Sequence, residues 1–274
     1  MRRHHLGEIE DKLWVPSTLR NLMTDILEFI VVKYQIYVPV IPLIKEAMEH
    51  MKTGRIIDLC SGSSGPWSQI LASLQEQQES ASVTLTDKYP NLQAFEEIKE
   101  RSGSKIQYVA EAVDATNVPA YLKGMRTIFS AFHHFEPGAA RKILQNAVNS
   151  RSAIGIFEFT EKRLRKIPLA LLLPLFVFLI TLFIKPKTFK MLLWANIIPV
   201  IPLIFTYDAI ISSMQTYSPE DLKELVKGIH SEGYEWKIGQ TPSKVRSIRI
   251  TYLVGFPKDP TMSPTQLPLE ACKN

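Results

Sequence analysis

Between residues 55 and 159, short apolar segments alternate with segments of helical periodicity. This alternation constrains the fold most, because neighbouring parallel strands must be joined by a crossover, usually a helix. The five strands expected here are RIIDLC, VTLTD, KIQYVAEAVD, MRTIFSAF and SAIGIFEF. Two further alternating segments, YEWKIGQ and SIRITYLVGF, are expected to pair as a hairpin. The sequence therefore predicts an α/β, doubly wound domain with helices on both faces of a sheet.

The composition excludes several classes of protein. The chain has 274 residues, of which 46% are hydrophobic, so it can bury a core and is not a disordered chain. Its two cysteines, Cys60 and Cys272, are far apart and predict neither a disulfide framework nor a CxxC metal site. The charged N-terminus, MRRHHLGEIEDKLW, does not have the pattern of a signal peptide, so a cytoplasmic location is expected.

The distribution of basic residues and the spacing of the histidines indicate which partners and metals the chain is expected to bind. The formal net charge is +5, but the local clusters of Lys and Arg flank long apolar segments. This arrangement favours a membrane surface over nucleic acid. The six histidines have no HExxH or similar spacing, so no metal site is expected.

The segment IIDLCSGSSGP is the most informative for function. A buried strand that ends in an acidic residue is followed by a loop with Gly62 and Gly65, and then by a helix. Glycine allows a ligand to approach the backbone, and the amides at a helix N-terminus donate hydrogen bonds. The loop has no GK[ST] ending, and Cys60 occupies the first position of GxGxxG. An ordinary strand-to-helix turn would fit the glycines alone equally well.

Three later features support a ligand site. Asp87 ends the second expected strand, Asp114 ends the third, and Phe132-His133-His134-Phe135 follows the fourth. The carboxyl ends of parallel strands lie at one edge of the sheet, where ligands bind in open α/β folds. Carboxylates there suit ribose hydroxyls and an adenine amino group.

The motifs DLCSGSSG, TLTDKYPN, EAVDATNVP, FSAFHHFEP and IGIFEFTE resemble those of the class I S-adenosylmethionine-dependent methyltransferases. The resemblance covers residues 55–257. It implies a mostly parallel seven-stranded sheet with a reversed C-terminal strand, and S-adenosylmethionine as methyl donor. Cys60 departs from the pattern, because the family usually has a glycine there.

The resemblance also implies a set of site residues. Those expected at the methionine and ribose end are Asp58, Cys60, Gly62, Ser63 and Gly65. Asp87 is expected to bind the ribose hydroxyls, with Lys88 beside it; Asp114 and Ala115 are expected at the adenine, and Phe132 near the sulfonium.

His133 and His134 are the best candidates for a catalytic base, because imidazole titrates near neutral pH. The alternative is that one of them makes a local hydrogen bond and the other faces solvent. Glu158, which ends the fifth expected strand, either orients a substrate or makes a structural hydrogen bond.

Residues 167–184 and 191–207 contain no charged side chain. Three arrangements are open: a segment lying in the membrane surface, a buried or dimer-forming cap over the site, or a hairpin of two short spans. Lysines between the two segments disfavour the hairpin, since that loop would lie outside. In each case an apolar wall stands beside the methyl donor, which favours a small hydrophobic or lipid-like acceptor.

The chain is thus expected to have a helical N-terminal cover (1–54), a cofactor-binding core (55–160) and an apolar helical insert (161–217). A helix and hairpin (218–257) complete the core, and a flexible tail (258–274) follows. The expected function is methyl transfer at the cytoplasmic side of a membrane. Two alternatives stay open: a membrane-associated protein that binds S-adenosylmethionine without catalysis, and a nicotinamide-dependent oxidoreductase, which the broken GxGxxG disfavours. The sequence does not predict the oligomeric state.

Overall fold

The computed structural model describes residues 7–12, 14–76, 81–162, 171–184 and 188–259. In this part of the chain seven strands form one sheet. They are β1 (Arg55–Leu59), β2 (Ser82–Thr86), β3 (Ile106–Tyr108), β4 (Met125–Phe129), β5 (Ile154–Glu158), β6 (Tyr234–Pro242) and β7 (Arg249–Pro257).

The strand order is β3-β2-β1-β4-β5-β7-β6. The first five strands are parallel, and β7 runs antiparallel to both β5 and β6. This arrangement confirms the predicted mostly parallel seven-stranded sheet with a reversed C-terminal strand. The predicted hairpin is also confirmed, with β6 and β7 paired from Tyr234–Pro257 to Pro242–Arg249.

Nine α-helices, counting one with a π-helical part, accompany the sheet in the described residues. They are α1 (Ser17–Lys33), α2 (Ile41–Met51), α3 (Trp67–Gln75), α4 (Leu92–Arg101), α5 (Pro137–Asn149), α6 (Leu173–Ile180), α7 (Phe189–Ile197), α8 (Val200–Gln215) and α9 (Pro219–Lys227). Short 3₁₀ turns lie at Val38–Val40 and Phe132–His134. In α7 the residues Leu192–Ile197 are π-helical.

Apolar side chains cover both faces of the sheet. Ile56 and Ile57 are neighbours on β1 and point to opposite faces, as the two-residue period of a strand requires. Ile56 packs in the cluster built with α2, α3 and α4, and Ile57 in the cluster built with α5 and α9. Each such buried side chain contributes about 1.5–3 kcal/mol. The doubly wound architecture follows from this double burial.

Helix α1 and the apolar insert form a third cluster. Leu22, Met23 and Ile26 of α1 pack against Val177 of α6 and Ile201 of α8. The insert is therefore anchored on the N-terminal helix by one of its sides.

The described residues include no single helix that is long and apolar enough to cross a membrane. By length and composition, two bent pairs pass the same test: Ser17–Lys33 with Val38–Met51, and Phe189–Ile197 with Val200–Gln215. These pairs bend by 71° and 73°.

One expectation about an element end is wrong. β3 ends at Tyr108 instead of extending to residue 114, because it is an edge strand with one neighbour and residues 110–112 are exposed. Helix α1 begins directly after Pro16, which takes the N-cap position. Helix α9 ends with Gly228 as its C-cap. The basic residues 163–166, the lysines at 185 and 187, and the tail from residue 260 lie outside the described residues.

Candidate active site

A cavity of about 420 Å³ lies at the carboxyl ends of β1, β2 and β4. The loop after β1 lines one side of it, and residues after β2 and β4 line another. Side chains of helix α1 form another part of the cavity wall. Of the residues predicted from sequence, those in its lining are Cys60, Gly62, Ser63, Gly65, Asp87, Lys88 and His134.

The loop owes its shape to three residues with left-handed backbone. Cys60, Gly62 and Gly65 each have a φ of +57°. Glycine adopts this conformation freely, whereas for other residues it costs about 1–2 kcal/mol. Cys60 therefore keeps the backbone geometry of the glycine that the family resemblance leads one to expect there. Burial raises the pKa of the Cys60 thiol well above its usual range, so the side chain is a neutral thiol at neutral pH.

Asp58 lies beneath this loop and is not among the residues that line the cavity, so its expected contact with a ligand stays a prediction. Its carboxylate accepts hydrogen bonds from Thr127 Oγ1 (2.6 Å) and Ser61 Oγ (2.7 Å). Burial raises the pKa of Asp58 to about 7. Asp58 therefore acts on the loop by holding Ser61 from below.

Asp87 reaches into the cavity directly after β2. Its two carboxylate oxygens accept hydrogen bonds from the backbone N–H groups of Gly62 and Tyr89, each at 2.8 Å. Burial raises the pKa of Asp87, and these N–H donors oppose that shift. A carboxylate has about four acceptor positions, so Asp87 can also accept hydrogen bonds from a ligand.

The polar side of α1 holds the loop, a role that our sequence analysis missed. Ser63 Oγ donates to Asp25 Oδ1, and Ser64 Oγ donates to Glu28 Oε1 at 2.7 Å. Thr24 Oγ1 lies 2.8 Å from Ser63 Oγ. The signal was present, because polar residues recur on α1 at helical spacing opposite its apolar stripe.

Three other predicted residues lie outside the cavity lining. Asp114 is exposed in a turn, where its Oδ1 accepts hydrogen bonds from Thr116 N and Thr116 Oγ1. Ala115 is buried in the core cluster of the α5 face. Phe132 is fully buried in the same cluster, with its ring 5.3 Å from that of Tyr217. Phe135 lines the cavity in its place.

His133 is buried on the 3₁₀ turn after β4. Its Nδ1 donates to Glu158 Oε2 at 2.8 Å, and Glu158 Oε1 accepts from the backbone N–H groups of Phe132 (2.7 Å) and His133 (3.2 Å). Burial lowers the pKa of His133, but the carboxylates of Glu158 and Glu8 together raise it to about 9. Glu158 thus fixes the orientation of His133 from the end of β5.

His134 lies beside it, with ring centres 4.4 Å apart. Its Nδ1 donates to Asp11 Oδ2 at 2.7 Å. Burial lowers the pKa of His134, but the nearby carboxylates of Asp11, Glu8 and Glu10 together raise it to about 10. These raised pKa values favour the imidazolium form of both residues at neutral pH, and a catalytic role for either histidine stays a prediction.

A second cavity, of about 510 Å³, adjoins the first. Both are lined by Glu10, Leu27, Ser130 and His134. The second cavity is mostly apolar, with side chains from α1, from the segment that follows β5 and from the insert; these include Met23, Ile30, Phe159, Leu173, Phe176 and Phe205. His133 lies in the wall of this cavity and not of the first.

No protein-family model matches the sequence. No curated protein matches it either.

Several solved structures are similar to the chain. A SAM-dependent methyltransferase from Aquifex aeolicus has 12% identity and a TM-score of 0.48, over 85% of this chain and 97% of that one. The plantazolicin methyltransferase BpumL, in complex with SAH, has 13% identity and a TM-score of 0.47, over 87% and 95%. The O-methyltransferase NcsB1 from neocarzinostatin biosynthesis, in complex with SAH and 1,4-dihydroxy-2-naphthoic acid, has 14% identity and a TM-score of 0.47. That match covers 84% of this chain but only 56% of NcsB1.

These identities and scores are too low to carry an argument about the reaction. The fold is established by the sheet itself, whose seven strands lie in the order 3-2-1-4-5-7-6 with only β7 reversed. This chain has the fold of the class I S-adenosylmethionine-dependent methyltransferases.

Proposed function

We propose that this chain transfers a methyl group from S-adenosylmethionine to a small apolar acceptor. The observation that carries the proposal is the pair of adjoining cavities. The first lies on the carboxyl edge of the sheet beside the glycine loop, and the second is an apolar chamber that shares Ser130 and His134 with it. Methyl transfer requires two ligands aligned in line and shielded from water, and two adjoining cavities suit this requirement.

The polar cavity suits the methyl donor. Its volume lies within the range of about 300–1,000 Å³ that is typical of small-molecule sites. Asp87 would accept the ribose hydroxyl protons, and Asp114 at the nearby turn would take the adenine amino group. The rings of Tyr37 and Phe135 and the acidic side chains in the wall favour a positive sulfonium. SAH or S-adenosylmethionine is bound in the BpumL and NcsB1 structures.

The apolar cavity suits the acceptor. Nine Leu, Ile and Phe side chains supply most of its apolar surface, so burial of an apolar ligand there releases water from that surface. NcsB1 is a structure in complex with naphthoic acids, which are small aromatic molecules. An acceptor oxygen or nitrogen would meet the methyl group near His133 and His134, because His134 lines both cavities and His133 lines the apolar one.

We further propose that the insert rests on the cytoplasmic surface of a membrane. Its apolar side chains divide between two sides: one packs on α1, while others are largely exposed, such as Leu171 (74%), Phe183 (71%) and Phe189 (73%). Exposed apolar surface of this kind marks interaction sites. The basic residues in the sequence on both sides of 167–184 suit anionic headgroups.

Calorimetric titration with S-adenosylmethionine, SAH and NAD⁺ tests the proposed donor. We expect micromolar binding of the first two and no binding of NAD⁺. If the folded chain binds neither methyl-donor ligand, or binds NAD⁺ instead, the proposal is wrong. Formation of SAH with a panel of small phenols and hydroxylated lipids then tests catalysis. Binding without turnover of any acceptor would favour the non-catalytic alternative.

Sedimentation with vesicles tests the membrane surface. We expect binding to vesicles that contain anionic lipid, and at least a fivefold loss of binding in Phe183→Ser/Phe189→Ser. Tyr121→Ser is the matched control, since Tyr121 is 68% exposed but lies outside the insert. Equal sedimentation of the double variant and the wild type would contradict the membrane contact.

A further inference from the structure

We propose that Glu8, His133 and His134 bind a divalent transition-metal ion of the zinc class. Each offers one ligand atom, and these three atoms all lie within 4.8 Å of one another. The spacing of the histidines in the sequence did not predict a metal site, and the proposed function does not require one. Glu8 comes from the N-terminal segment and the two histidines from the turn after β4, so the chain brings distant residues together.

The two histidines are oriented as metal ligands usually are. His133 Nδ1 is bound to Glu158 and His134 Nδ1 is bound to Asp11, at 2.8 and 2.7 Å. In metal sites the second imidazole N–H is almost always held by a carboxylate, a carbonyl or a water, which directs the other nitrogen at the ion. In both residues that other nitrogen, Nε2, faces the carboxylate of Glu8, and Nε2 of His134 also lies 3.7 Å from Glu10 Oε1.

The spacing at the Nε2 atoms is that of ligands around an ion. His133 Nε2 lies 3.4 Å from Glu8 Oε1, and His134 Nε2 lies 3.8 Å from Glu8 Oε2. Charge-assisted hydrogen bonds are shorter, at about 2.7–2.9 Å. Two ligand atoms that are each about 2.1 Å from a tetrahedral ion are about 3.4 Å apart. The contacts at Nδ1 are short hydrogen bonds, whereas the longer contacts between Nε2 and Glu8 have the spacing of two ligands around one ion.

Glu8 is held in place for this role. It is 2% exposed, and Ser212 Oγ of α8 donates to its Oε1 at 3.1 Å. Asp208, one turn earlier on α8, accepts the backbone N–H groups of Ile9 (2.6 Å) and Glu10 (3.2 Å). The insert thus fixes the segment that carries Glu8.

The cluster carries an excess of negative charge, which would favour the binding of a cation. Five carboxylates, from Glu8, Glu10, Asp11, Glu158 and Asp208, surround the two imidazoles, and four of them contact an imidazole directly. Even with both imidazoles protonated, negative charge is in excess. Buried charge is costly unless it is paired or binds a metal, and a divalent cation would satisfy it while replacing the protons at Nε2.

The ligand set indicates the class of metal. Two imidazole nitrogens and one carboxylate form a catalytic zinc-type set, which keeps one coordination position open. All three ligands line the apolar cavity, so the open position faces it. That an acceptor oxygen takes this position rests on the proposed function, whereas metal binding itself does not.

Metal binding to the chelator-treated full chain tests the site without any measurement of activity. We expect one equivalent of Zn²⁺ by elemental analysis, and Co²⁺ absorption bands typical of a four- or five-coordinate site. Glu8→Gln should weaken binding at least 100-fold. Glu158→Gln, which releases His133 without removing a ligand, should weaken it about 10- to 100-fold.

His50→Gln and His230→Gln are the controls, since each removes a histidine that lies outside the cluster. Both should bind one equivalent as tightly as the wild type. Absence of stoichiometric binding by the wild type would overturn the proposal. So would binding that survives in both Glu8→Gln and His134→Gln, or that is lost in His50→Gln. Circular dichroism and urea denaturation show whether each variant is folded, and neither depends on the proposed function. Binding of S-adenosylmethionine is measured separately and bears on the proposed function alone.

Discussion

The hydroxyl of Ser63 donates a hydrogen bond to the carboxylate of Asp25. This bond joins the glycine loop of the sheet edge to the N-terminal helix α1, 38 positions earlier in the chain. Asn91, the cap of α4, donates to the same carboxylate oxygen at 3.3 Å and to Ser63 Oγ at 3.3 Å. Three elements therefore meet at one buried polar network, and the N-terminal cover is part of the cavity wall.

A double-mutant cycle on Asp25→Ala and Ser63→Ala measures this link. Because a hydrogen bond to a charged group contributes about 1.5–3 kcal/mol, Asp25→Ala should lower the free energy of unfolding by that amount. The coupling energy between the two changes should be at least about 1 kcal/mol, read by urea denaturation. Strictly additive effects would show that α1 does not hold the loop through this pair.

Asp87→Asn should weaken binding of S-adenosylmethionine at least about tenfold, or about 1.4 kcal/mol. The amide loses acceptor capacity toward Gly62, Tyr89 and the ligand hydroxyls. Glu100→Gln is the control for charge, because it removes one negative charge from the exposed side of α4. Calorimetry of both variants separates the two effects, and equal affinities would contradict a role for Asp87.

The sheet topology was predictable because strands and helices leave local patterns in the sequence. Apolar residues recur about every two residues in a strand and about every 3.6 residues in a helix. Asp87 was predictable for the same reason, since it directly follows the strand that positions it. The position of Asp58 beneath the loop was not predictable, because sequence gives a residue its strand but not the partners of its side chain. Asp25 and Glu8 were missed because their partners lie far away in the chain. Their roles arise from packing between elements, which no local pattern records.

Gly65→Ala should destabilise the protein by about 1–2 kcal/mol, because Gly65 has a φ of +57°. No atom lies within 4 Å of the added methyl, so the cost is conformational and not steric. Gly138→Ala is the matched control. It too adds a methyl in open space, but within helix α5, where it should stabilise by up to about 1 kcal/mol. Denaturation curves that shift in the same direction for both variants would contradict the importance of the left-handed backbone.

Asp58 should make the stability of the ligand-free protein fall as the pH rises. Burial raises its pKa from 3.8 to about 7, so between these values the folded state holds a proton that the unfolded state has released. Asp58 thereby lowers the free energy of unfolding by up to about 1.4 kcal/mol per pH unit in this window, with the full loss present above pH 7. Asp58→Asn removes the titration, so its stability should decline less steeply from pH 5 to 7 than that of the wild type.

Asp114→Asn provides the control for this measurement. Hydrogen bonds from Thr116 lower the pKa of Asp114, so its contribution is lost only as the pH falls below the range of the unfolded group. Between pH 5 and 7, Asp114→Asn should therefore run parallel to the wild type. Urea denaturation at four pH values distinguishes the three proteins. A wild-type slope that is unchanged in Asp58→Asn would show that the carboxyl beneath the loop is ionised across the whole range.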